Sequence, residues 1–133
     1  MTDEGTELVH ERHFTKEEAN ALLPQLTALL SQLREAKEEL TDTDAHEALS
    51  EAGPTNGGGD QGRQVGIAFL EVRRLLETLE EAGLVLRDID RGLIDFPALI
   101  DGREVYLCWE LGEDEVGYWH DLEGGYGGRE PLD

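Results

Sequence analysis

An internal disulfide is excluded at the outset, because the 133-residue chain has a single cysteine, Cys108. A secreted disulfide scaffold is therefore ruled out, and a reducing cytoplasm is the expected compartment. Long apolar runs are also missing. None approaches the roughly 18 residues that a membrane helix needs. Met1–Arg12 is polar and acidic and lacks the apolar stretch of a secretory signal. Positive charge is scarce. Eleven Lys+Arg stand against 31 Asp+Glu, giving a net charge of -20, and only Lys16 and Lys37 are lysines. A field of that sign repels nucleic acid and anionic membrane, so neither is an expected partner. It suits a basic protein partner or a cationic ligand. A carboxylate-rich, lysine-poor surface also suits a high-salt cytoplasm.

The residues that are present fall into a run of helices followed by a run of strands. Met1–His13 reads as a flexible acidic arm. Thr15, with Glu18 three residues on, is a capping box that opens a helix over Lys16–Leu40. Leu22, Leu26, Leu29, Leu33 and Leu40 recur at helical spacing, and Pro24 should kink the helix. Residues 41–62, with Asn56-Gly57-Gly58-Gly59, read as a Gly-rich linker. A second helix is expected over Arg63–Ala82, its stripe formed by Val65, Phe69, Val72, Leu76 and Leu79 and widened by Ala68 and Leu75. Gly83 is suited to end it. Four short strands follow, at 84–90, 93–100, 103–110 and 115–121, and then a Gly-rich tail over 123–133. The expected fold is α+β: two antiparallel amphipathic helices packed on one face of a four-stranded antiparallel β-meander, in one domain over 14–133. The heptad-like stripe of the second helix also suits a homodimer through the helices.

Asp101-Gly102 between two apolar runs is the strongest hairpin signal in the chain. A two-residue loop there sets Ile100 opposite Arg103, and hence Ala98 opposite Val105, Phe96 opposite Leu107 and Ile94 opposite Trp109. That face is uniformly apolar, which supports the register. The other face carries Asp95 opposite Cys108, Leu93 opposite Glu110 and Pro97 opposite Tyr106. If Arg91-Gly92 is an equally tight turn, Asp88 lies across from Asp95. If Trp119 points inward, Tyr118 and His120 join Cys108 on the polar face. Facing aspartates repel, so an offsetting cation is expected, and Arg129 in the tail is a candidate to fold back and supply it.

Three stretches resemble an uncharacterised family known as domain of unknown function 2203: Phe14-Thr15 with Glu18-Ala19-Asn20 and Leu23-Pro24; Gly92-Leu93-Ile94-Asp95-Phe96-Pro97; and Leu107-Cys108-Trp109-Glu110-Leu111-Gly112-Glu113 followed by Tyr118-Trp119-His120. Gly127-Gly128-Arg129 with Pro131 is similar to that family's ending. The resemblance spans about Phe14–Leu132. It implies a small prokaryotic protein of unassigned activity and brings no catalytic residues to transfer.

The residues themselves leave three functions open. The first is a small acidic cytoplasmic binding module, with Asp95, Cys108, Glu110, Tyr118, His120 and Arg129 as ligand contacts on the sheet face away from the helices. The second is a metal-dependent or thiol enzyme on the same face. Asp95, Cys108 and His120 are ligand types for zinc or iron, although the Cys108–His120 spacing matches no standard ligand motif. A nucleophilic Cys108 would need a lowered thiol pKa and His120 within reach as a base. The third is a helical adaptor or homodimeric interaction protein.

Overall fold

The computed structural model describes residues 8–41 and 59–132. Residues 1–7 of the expected arm and 42–58 of the expected linker lie outside the described residues. The chain forms two compact units. One runs from the N-terminal residues through Thr27 and resumes at Leu79; the other is Ala28–Thr78.

The first unit carries a five-stranded antiparallel sheet in sequence order, so the fold is α+β. Its strands are β1 (Val85–Asp88), β2 (Leu93–Ile100), β3 (Arg103–Glu110), β4 (Tyr118–Asp121) and β5 (Glu130–Pro131). The tail thus adds a fifth strand to the expected four. Asp101 and Gly102 have φ values of 53° and 80°, the left-handed pair that a tight hairpin requires. The register that follows is the expected one, from Ile100↔Arg103 through Asp95↔Cys108 to Leu93↔Glu110. On the next ladder Tyr118 lies opposite Cys108 and His120 opposite Tyr106.

The β1–β2 connection differs from expectation. It is a four-residue loop, Ile89–Gly92, preceded by a bulge between Leu86 and Asp88. Asp88 therefore pairs with Leu93, and Val85 takes the place opposite Asp95. The two aspartates do not face each other. Asp88 instead caps its own turn, accepting from the Arg91 N–H at 3.1 Å.

Ile94, Phe96, Ala98, Val105, Leu107 and Trp109 are buried on the apolar face. The capping box forms as read, with Thr15 and Glu18 exchanging bonds of 2.9 and 3.0 Å at the head of α1 (Lys16–Ala21). Phe14 stacks edge-on against Phe96 at 5.7 Å, and the Asn20 side chain accepts from the Val116 N–H at 2.7 Å. These contacts seat α1 on the apolar face. The expected single kinked helix is divided at Leu22, and α2 (Leu23–Thr41) begins there. Pro24 consequently sits in a first turn, where its missing N–H leaves no helical bond unmade.

In the second unit, α2 lies beside α3 (Gly59–Glu81): Glu35, Ala36 and Glu39 share a surface groove with Ile67, Ala68 and Glu71. The stripe of α3 is rotated from its expected position. Ala68, Leu75 and Leu79 are the buried residues, whereas Phe69 and Leu76 are exposed, as are Ile67 and Leu70. The apolar arc of this helix is wider than the surface that covers it, and a heptad count alone does not locate its centre.

Candidate functional site

The polar face of the sheet is as deeply buried as the apolar one. Asp95, Cys108 and His120 come from the adjacent strands β2, β3 and β4 and are 1%, 1% and 3% exposed. Period-two alternation places all three on one side, because the two ladders align Asp95 with Cys108 and set His120 two pairs along from Cys108, opposite Tyr106. A carboxylate oxygen, the thiol sulfur and an imidazole nitrogen lie within 4.8 Å of one another.

Two terminal segments close over this face. On one side the arm crosses β3: the Glu104 carboxylate accepts from the Val9 N–H at 2.7 Å, the His10 N–H at 2.9 Å and the His13 ring at 2.9 Å. Burial works to raise the Glu104 pKa, but these donors hold it below its ordinary value. The His10 ring meets the Tyr106 hydroxyl at 2.7 Å, and the Tyr106 ring packs beside His120 at 5.5 Å. Val9, His10 and His13, read from sequence as part of a flexible arm, are each hydrogen-bonded to Glu104 of β3. On the other side the tail brings Arg129 to Glu113 at 2.6 Å and to the Cys108 sulfur at 3.9 Å. The guanidinium lies over the Tyr118 and Tyr126 rings at 3.8 and 4.2 Å.

Asp95 is the hub. Its Oδ2 accepts from Arg87 Nε at 2.8 Å, and both oxygens lie 3.0–3.1 Å from His120 Nε2. The offsetting cation is therefore Arg87, and Arg129 is committed to Glu113. His120 Nδ1 is 2.7 Å from the Asp121 carbonyl. A carbonyl only accepts, so Nδ1 carries a proton, and a neutral imidazole then has no second N–H for Asp95. A proton shared between Nε2 and the carboxylate, or a cation in its place, must lie between the ring and Asp95.

The same geometry weighs against a thiol nucleophile. Both ring nitrogens of His120 are engaged, and neither contact is with Cys108. Burial, and then the charge of Asp95, push the Cys108 thiol up to about 11, the opposite of what activation requires. Of the six ligand contacts read from sequence, the structure brings together Asp95, Cys108 and His120 and sets Tyr118 and Arg129 beside them. Glu110 stands apart. It is ion-paired to Arg91 at 3.0 Å, which holds its pKa below the usual carboxylate range. Arg87, Glu104 and Glu113 escape sequence reading. Arg87 reaches Asp95 from the bulge of β1, and the other two meet partners from the opposite ends of the chain.

The chain belongs to the family described as an uncharacterized conserved protein, domain of unknown function 2203, which matches residues 12–132. No curated protein and no solved structure matches it.

Proposed function

We propose that this protein is a metal-binding module that holds one zinc-class divalent ion between Asp95, Cys108 and His120. The observation that carries the reading is the state of His120. Its Nδ1–H is anchored on a backbone carbonyl and its Nε2 is aimed at a carboxylate with a sulfur close by. That backbone anchor is the usual support of a metal-bound histidine, since it fixes the tautomer and directs the other nitrogen at the ion. Without an ion, a proton has to lie between the imidazole and a buried carboxyl group that also takes the Arg87 guanidinium. A divalent ion would take the place of the Nε2 and Sγ protons. Thiolate with imidazole selects zinc over magnesium or calcium, and a carboxylate completes a familiar ligand set.

Elemental analysis of protein purified without a His-tag, reconstituted with zinc and desalted, tests the reading. One equivalent of zinc per chain is expected, with loss of the ion in His120→Ala and in Asp95→Asn. A metal-free product, or retention of the ion by both variants, overturns it.

A further inference from the structure

On the apolar side of the sheet, a surface cleft of about 810 Å³ lies between the start of α2 and the β3–β4 turn. That volume is within the range of ligand sites, roughly 300–1,000 Å³. Leu23 and Pro24 form one wall, Trp109 and Leu111 the floor, and Asp114 and Glu115 stand at the opposite rim.

Its charge is one-sided. Among the described residues no Lys or Arg lines the cleft, although Glu113, Asp114 and Glu115 all do. Glu113 is neutralised by Arg129. Asp114 and Glu115 are exposed and form no ion pair among the described residues. The rim is also held in place before anything binds. Trp109 donates its indole N–H to the Glu113 carbonyl at 3.0 Å, the Glu110 N–H donates to the Glu113 carboxylate at 2.9 Å, and Val116 is tied to Asn20 of α1 at 2.7 Å. A rim fixed in this way lowers the ordering cost of association.

We propose that the cleft docks a short segment of a basic partner protein, which inserts one large apolar side chain between Leu23 and Leu111 and sets flanking Arg or Lys residues against Asp114 and Glu115. Charge complementarity decides the occupant. A neutral segment sets nothing against two unpaired carboxylates, and an acidic one is repelled by them and by a chain of net charge -20. The apolar floor distinguishes this site from the rest of the acidic surface, because attraction alone would be spread over all 31 Asp+Glu. The inference is independent of the metal site, which lies on the other face.

Titration of the isotope-labelled full chain with acetyl-Arg-Leu-Arg-amide at low salt, followed by ¹⁵N–¹H NMR, tests the proposal. Saturable shifts are expected at the Trp109 indole N–H and at the amides of Thr27, Asp114 and Glu115. The Asp114→Asn, Glu115→Gln double variant should bind about three- to tenfold more weakly, as the loss of two exposed ion pairs allows. Thr27→Arg, at an exposed position on the wall, should also weaken binding by adding a cation. Acetyl-Glu-Leu-Glu-amide should give no shifts, and acetyl-Arg-Ser-Arg-amide should lose the indole response. The proposal is overturned by the absence of saturable shifts at millimolar peptide, by shifts spread evenly over the acidic surface, or by both variants binding like the parent chain.

Discussion

The two faces of the β2–β3 hairpin are equally buried by different means. One face presents Ile94, Phe96, Ala98, Val105, Leu107 and Trp109, and its cover is apolar. The other presents Asp95, Tyr106, Cys108 and, from β4, His120, and its cover is a mesh of hydrogen bonds and ion pairs. On the first face burial is its own driving force and tolerates approximate fit. On the second, every buried polar atom needs a partner, and among the described residues each has one. Alternation along a strand is usually read as inside and outside. Here it separates a packing surface from a chemical one.

That contrast predicts different responses to perturbation. The largest effect belongs to the apolar face: Phe96→Ala should cost about 3–5 kcal/mol by urea unfolding. The loss should be the same in zinc and in chelator, because Phe96 does not point toward the cluster. A zinc-dependent loss would mean that the two faces are not separable.

The polar face should respond to pH where the apolar face cannot. The folded chain keeps the Cys108 proton up to about 11, against an ordinary value of 9.0. The unfolded chain therefore releases that proton first. The resulting stabilisation is complete below pH 9 and is lost as pH rises through about 11, a change on the order of 2 kcal/mol. Metal-free protein should thus lose more stability between pH 9 and 11 than Cys108→Ala does. Parallel curves for the two would count against the buried thiol.

How much of this contrast could be read from sequence depends on how local its causes are. The hairpin register could be read, because Asp101-Gly102 fixes it and the apolar pairing confirms it over three rungs. Asp95, Cys108 and His120 followed from that register and from setting Trp119 on the apolar side, where it lies opposite Leu107 although it is only half-buried. Arg87 could not be read, since a single-residue bulge moved it toward Asp95 and moved Asp88 away. Nor could the cover of the polar face. Val9 and His13 meet Glu104 across more than 90 residues, and no periodicity encodes such pairings. On α3 the apolar residues outnumber the positions that are covered, so the pattern identified the helix but not its buried edge.

The smallest effect tests that long-range cover. Glu104→Gln keeps the shape of the side chain but removes the charge that gathers Val9, His10 and His13. It should cost about 1–2 kcal/mol and should raise hydrogen exchange at residues 8–13 while β2 stays protected. Unchanged exchange in the arm would show that its anchoring does not depend on this carboxylate.

The most direct test of the central claim is a cobalt(II) titration of the metal-free protein, read by absorption. A metal site built from Asp95, Cys108 and His120 predicts an intense near-ultraviolet thiolate-to-cobalt band that saturates at one equivalent and is absent from Cys108→Ser. A spectrum no different from that of aqueous cobalt would contradict it.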